Sequence, residues 1–131
     1  MTQEEKELLL KELCARLPYG VMCFAKDEEY GDLGVLYDIA PFETEDPNVY
    51  IQYDGANTIN FFLSEIKPYL RPMSSMSESE ISDYNWFCSS HPLDEHIAID
   101  FVDWLHAHYL DYSGLIEKGM ALEAPKWMYE I

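Results

Sequence analysis

His96, Asp100 and Asp103 stand at i, i+4 and i+7, a spacing that stacks their side chains on one face of a helix. One imidazole and two carboxylates on a shared face are a ligand set for a hard or borderline divalent metal, with His91 or Glu95 to complete the shell. One helix alone seldom supplies a full shell, and no Cys/His zinc spacing stands elsewhere in the chain. The simpler reading is the solvated face of an amphipathic helix in an acid-rich chain. Cys88 and His91, at i and i+3, pair a thiol with a base, but no third group to orient the base is visible. His108 falls within the apolar arc of the same helix, where a buried, hydrogen-bonded histidine is the expectation and a catalytic base the lesser alternative. There is no Gly-rich phosphate loop, no G-x-S-x-G and no H-E-x-x-H. The chain therefore reads as non-catalytic and without a cofactor. A small enzyme or metal-binding protein centred near His91 and His96 is the alternative.

Recognition of a partner is the better-represented chemistry. No Lys or Arg lies between Lys26 and Lys67, where ten carboxylates occur, nor between Arg71 and Lys118, where nine more occur. The net charge of −17 is thus a field of one sign over two long stretches. Such a field repels nucleic acid and anionic membranes and favours basic partners. Ten aromatics lie between Tyr19 and Tyr69, most of them expected in a core. Strand alternation sets Tyr50 and Phe62 opposite the faces of Ile51 and Phe61. Exposed aromatics beside Asp38, Glu43, Glu45, Asp46 and Asp54 would suit a basic or proline-containing peptide. A nucleic-acid mimic inhibiting a host DNA-binding protein is the sharper variant. It requires many acids to share one surface at about one charge per 1.7 Å of axis.

Several elements must position these residues. Residues 2–17 read as a helix: Thr2 with Glu5 forms a capping box, Leu9, Leu13 and Leu17 recur every fourth residue, and Pro18 ends it. The alternation then becomes that of strands over 20–25, 35–40, 49–54 and 58–63, joined by turn-rich segments at 27–32, 43–48 and 54–55. Strands so closely spaced predict an antiparallel meander curled into a small barrel or half-barrel. A helical turn at 64–67 and a short edge strand at 69–73 follow. The Ser-rich 74–82 stretch reads as a linker that caps a helix over 77–87. A break at 89–92 precedes the best-defined helix, 92–110. Ile97, Ala98, Phe101, Val102, Trp104, Leu105 and Tyr109 form its apolar arc, with His96, Asp100, Asp103 and His106 on the other side. A last short helix is expected over 115–122, and the apolar 127–129 tail should pack back on the body.

A chain of 131 residues fits one domain and buries roughly two thirds of its unfolded surface. At 48% hydrophobic and 15% aromatic it is too apolar for a disordered acidic tail, so the acids sit on a folded body. Cys14, Cys23 and Cys88 are odd in number and unevenly spaced, which implies small core residues and no disulfide framework. The acidic N-terminus is unlike a signal peptide, and no apolar run reaches the roughly 18 residues of a membrane helix. A reduced cytoplasm is the expected compartment.

Three segments carry a resemblance: Leu17-Pro18-Tyr19-Gly20-Val21, Ile66-Lys67-Pro68-Tyr69-Leu70-Arg71-Pro72-Met73-Ser74-Ser75-Met76, and Asp111-Tyr112-Ser113-Gly114-Leu115-Ile116-Glu117-Lys118-Gly119-Met120-Ala121-Leu122-Glu123-Ala124-Pro125. They resemble a family of short uncharacterised proteins from gut anaerobes, many of them carried on phages or other mobile elements. The resemblance spans most of the chain and implies no known activity, so it assigns no catalytic residue. Val35-Leu36-Tyr37-Asp38 is superficially similar to the Ala-Leu-Tyr-Asp-Tyr opening of signalling SH3 domains, whose paired tryptophans and later motifs this chain lacks. The expected fold class is α+β. An N-terminal helix and a small antiparallel SH3-like β-barrel or half-barrel fill 1–73, and a C-terminal lobe of two to three helices, 74–131, packs on them as one compact unit. The expected role is a small acidic, non-catalytic interaction protein that binds a basic protein or peptide surface and contacts neither nucleic acid nor membrane.

Overall fold

The computed structural model describes residues 2–40, 46–54, 57–89 and 95–129. Helix α1 (Gln3–Arg16) opens with the capping box: the Thr2 hydroxyl accepts from the Glu5 amide at 3.1 Å, and the Glu5 carboxylate accepts from the Thr2 amide at 2.9 Å. Leu9 and Leu13 on its inner side are fully buried. The chain tightens into a 3₁₀ turn at Leu17–Tyr19 and leaves it through Gly20 at φ 69°, a left-handed conformation that favours glycine.

An antiparallel meander follows: β1 (Met22–Asp27), β2 (Gly31–Ala40), β3 (Asn48–Tyr53) and β4 (Asn57–Phe62). After a 3₁₀ turn at Leu63–Glu65, β5 (Lys67–Leu70) returns to pair with the free side of β1. The chain leaves the sheet for two helices, α2 (Glu78–Ser89) and α3 (Glu95–Ala107), and re-enters it as β6 (Leu122–Glu123), parallel to β5. The order is β4-β3-β2-β1-β5-β6.

The class is α+β, as expected, but the sheet is open. β6, brought back through the two helices, takes the outer side of β5, so β5 is an interior strand and β4 and β6 are the edges. The expected short edge strand at 69–73 is thus displaced to 67–70 and internal. One buried cluster joins α1 (Leu9, Leu13), the sheet (Cys23, Val49, Ile51) and the return segment (Leu115, Met120).

Two helical expectations are corrected. Of the expected helix over 115–122, residues 115–121 form tight turns and Leu122 begins β6. The Asp111 carboxylate accepts from the Leu115 and Ile116 amides at 2.8 and 2.9 Å, and Gly119 at φ 75° reverses the chain so that the Met120 amide donates to the Leu115 carbonyl at 2.9 Å. The buried side of α3 is also rotated from the expected arc. Ala98 and Val102 are exposed, whereas His106 is 4% exposed. His106 turns inward because a partner waits there: its Nε2 lies 2.7 Å from the Tyr112 hydroxyl, which donates to Glu12 at 3.1 Å. Arg16, only 1% exposed, completes this internal group by donating to the Leu110 carbonyl at 2.8 Å. Of the three cysteines, Cys23 is a core residue, while Cys14 and Cys88 are exposed.

Two outcomes test this packing. A Cβ at Gly34 would overlap Ile51 Cγ2 and stand 3.1 Å from the Gln52 carbonyl. Gly34→Ala is expected to lower stability by about 1–3 kcal/mol, read as a lower urea midpoint, and an unchanged midpoint contradicts the close approach of β2 and β3. Burial, with the Arg16 charge adding to it, holds the His106 imidazole below its ordinary 6.5. The folded state therefore prefers the neutral ring, so this contribution is complete above that value and is lost as pH falls below it. The wild-type urea midpoint should drop between about pH 7 and 5, and less steeply in His106→Gln.

Candidate functional site

The predicted binding residues fall largely on the outer face of the sheet. In β3, Val49, Ile51 and Tyr53 are buried, while Asn48, Tyr50 and Gln52 point the other way and are half-buried. A bulge in β2 shifts the pairing from Leu36↔Ile51 to Asp38↔Tyr50. The extra residue sets both Tyr37 and Asp38 opposite Tyr50, and both are exposed. On β4, Asn60 pairs with Tyr50 and Phe62 with Asn48, so Phe62 lies diagonal to Tyr50 on the same face. Tyr37 and Phe62 are 57% and 54% exposed. Tyr37, Tyr50 and Phe62 are thereby brought together, and the bulge adds Asp38, which strict alternation would place on the inner face with the buried Leu36. Asp54 is exposed at the end of β3. Asp46 serves the chain itself, accepting from the Ser64 amide and hydroxyl at 3.1 and 2.6 Å. Glu43 and Glu45 lie outside the described residues.

His96, Asp100 and Asp103 are exposed on α3. Among the described residues, no three His, Cys, Asp or Glu side chains are grouped to hold a metal ion. His91 and the Glu95 side chain lie outside the described residues. Asp103 instead approaches the Tyr19 hydroxyl, whose pKa is raised by burial and by this carboxylate.

A second arrangement, absent from the sequence reading, lines a cavity of about 640 Å³ between the loop before α2, the end of α3 and the segment after β6. Glu80 is its centre. It completes a capping box with Ser77, whose hydroxyl accepts from the Glu80 amide at 3.2 Å and whose amide donates to Glu80 Oε1 at 2.9 Å. Arg71 then donates to both carboxylate oxygens, Nη2 to Oε1 and Nη1 to Oε2, each at 2.7 Å. His108 Nδ1 lies 2.7 Å from Oε2. Four donors fill the four lone-pair positions, so the carboxylate has no room for a proton and His108 Nδ1 must carry one. The Arg71 fork, aided by the Ser77 amide and His108, holds the Glu80 acid down to about 2 against the opposing effect of burial.

His108 is delivered by a helix ending. The Tyr109 amide donates to the His106 carbonyl at 3.0 Å and the Leu110 amide to the Leu105 carbonyl at 3.1 Å, the two bonds of a Schellman motif. Tyr109 occupies the left-handed position at φ 58°, where glycine is usual and a side chain costs about 1 kcal/mol. Its ring stacks on Tyr129 at 3.8 Å and 5°, and its hydroxyl donates to the Tyr19 carbonyl at 2.6 Å, which offsets that cost. The Tyr129 hydroxyl accepts from the Met22 amide at 2.7 Å and donates to the Tyr69 carbonyl at 2.8 Å. The tail thus packs back through Tyr129, while Trp127 stays 63% exposed.

The visible signal for this cluster was Ser77-x-x-Glu80, which accounts for one of the four donors. Arg71 and His108 come from 9 and 28 residues away in sequence. No family model, no curated protein and no solved structure matches the chain. Among the described residues, no helix is long and apolar enough to cross a membrane.

The Glu80 acid lies well below its ordinary 4.5, so the stability it adds is complete above that value and is lost as pH falls toward about 2. At about 1.4 kcal/mol per pH unit this amounts to roughly 3 kcal/mol. The difference in unfolding free energy between wild type and Glu80→Gln should be constant above about pH 5 and shrink below it. A difference that does not change with pH contradicts the Arg71–Glu80 fork.

Proposed function

We propose that the protein is a small acidic interaction protein that receives a basic protein or peptide on the outer face of β2, β3 and β4. The observation that carries this reading is the setting of the aromatics. Tyr37, Tyr50 and Phe62 share that face with Asp38, and the stretch that supplies all three strands contains no Lys or Arg. Both arginines of the chain are turned inward, Arg16 beside Glu12 and Arg71 onto Glu80, so only lysines temper the surface charge. Tyrosine and phenylalanine offer rigid contact area to the stems and cationic heads of Lys and Arg, and the carboxylates supply the counter-charge. β4 is an edge of the sheet, so an extended segment laid along it meets main-chain groups as well as Phe62. The same field repels phosphates, which makes nucleic acid itself a poor ligand.

Titration with an oligoarginine peptide, followed by calorimetry at two salt concentrations, tests the proposal. Binding should weaken with salt. Tyr50→Ala and Phe62→Ala should each lower affinity about tenfold, or about 1.4 kcal/mol. Equal affinity in both variants and the wild type overturns the sheet face as the binding surface and leaves only unspecific charge attraction.

A further inference from the structure

We propose that the cleft around Arg71, Glu80 and His108 is a catalytic site for the hydrolysis of small carboxylic esters, with His108 Nε2 as the general base. Because Nδ1 is committed to an ionised Glu80, the neutral ring carries its lone pair on Nε2. The carboxylate cannot swing away, since Arg71 grips both of its oxygens and the Ser77 amide holds one of them. Trp104 packs on the imidazole with ring centroids 4.5 Å apart and fixes the remaining rotation. A base oriented by a buried, pinned carboxylate is the arrangement that hydrolytic sites use on unrelated folds. Arg71 and Glu80 are positioning residues here, acting through the imidazole.

The surroundings fit this role. His108 lines the cavity of about 640 Å³, within the range of small-molecule sites at roughly 300–1,000 Å³. Lys126 lines the same cavity, as do Ser77 and Ser79 at the start of α2, whose first-turn amides carry partial positive charge. A developing oxyanion would find stabilisation there. The Ser75 hydroxyl donates to the Pro72 carbonyl at 2.7 Å and the Ser77 oxygen is held by the Glu80 amide at 3.2 Å, and water is the nucleophile of the proposed step. The strained Tyr109 immediately after the base is the kind of backbone outlier that gathers at functional sites.

In the proposed step, Nε2 takes a proton from water as its oxygen bonds to the ester carbonyl carbon, and the carbonyl pair moves onto oxygen. The tetrahedral intermediate collapses, the bond from carbon to the alkoxy oxygen breaks, and the departing oxygen takes the proton from His108. One water is consumed, an acid and an alcohol are released, and the ring returns to its starting state without any redox change. The cleft lies by β5 and β6, away from the β4 side of the sheet, so this inference stands or falls independently of peptide binding.

The test is hydrolysis of p-nitrophenyl acetate by the full chain, compared with free 4-methylimidazole at the same concentration. Saturable hydrolysis at least about 100-fold faster than the free base is expected, with a similar loss in His108→Gln. Glu80→Gln, which loosens the orientation of the ring, should lower kcat about tenfold with little change in KM. Lys126→Ala, a change at an exposed residue that leaves folding aside, should lower kcat about tenfold or more. A wild-type rate no greater than that of 4-methylimidazole, or a folded His108→Gln protein with the full wild-type rate, overturns the proposal.

Discussion

The carboxylate of Glu80 ties together segments that the sequence holds far apart. Left alone, a buried charge of this kind would cost several kcal/mol. Its stability as an anion depends on Arg71 at the end of β5, Ser77 at the start of α2 and His108 at the end of α3 all arriving at once. The same Arg71 uses its main chain as well: its amide donates to the Tyr109 carbonyl and its carbonyl accepts from the Asp111 amide, each at 2.8 Å. That clamp sets the end of α3 against β5, so the chain can run on as a parallel bridge at Leu110 and then as β6. The openness of the sheet follows from this return path, because the outer side of β5 is already taken.

A second internal ion group works by the same logic at the other side of the core. Arg16 bonds to Leu110, 94 residues away, and its guanidinium lies 5.2 Å from the centre of the Tyr112 ring. Glu12, Tyr112 and His106 complete the set. Arg71 suits its place because its planar fork bonds several acceptors in fixed directions, whereas a lysine is a compact and strongly hydrated charge. Turning both arginines inward leaves a surface of carboxylates and a few lysines. Self-repulsion on that surface opposes folding, and the buried cluster of α1, sheet and return segment must outweigh it.

Local signals in the sequence were reliable where one element decided the outcome. The Thr2–Glu5 box and the alternation of Val49, Ile51 and Tyr53 appear where the residue pattern places them, and the turn expected at 64–67 forms slightly earlier, at Leu63–Glu65. Expectations departed from the structure where a distant partner overrode the local period. His106 belongs to the polar side of its helix by spacing, yet Tyr112 and Glu12 draw it inside. The apolar run after Gly114 scans as a helix, yet the Asp111 carboxylate takes its first amides and Gly119 turns it back. The bulge that sets Tyr37 beside Asp38 leaves no mark in a period-two pattern. On the candidate sites, Tyr50 and Phe62 were legible because alternation sets them opposite the faces of Ile51 and Phe61, whereas Asp38 reaches the outer face only through the bulge. The Arg71–Glu80–His108 cluster was not legible, because its members meet only once β5, α2 and α3 have packed.

The account turns on the tautomer of His108, since a pinned Glu80 carboxylate leaves its ring no choice. A long-range proton–nitrogen correlation spectrum of the histidine rings, taken where His108 is neutral, reads this directly. The structure requires the proton on Nδ1 and the lone pair on Nε2. A neutral His108 protonated on Nε2 would place a bare nitrogen against the carboxylate and contradict the network on which the fold and the cleft both depend.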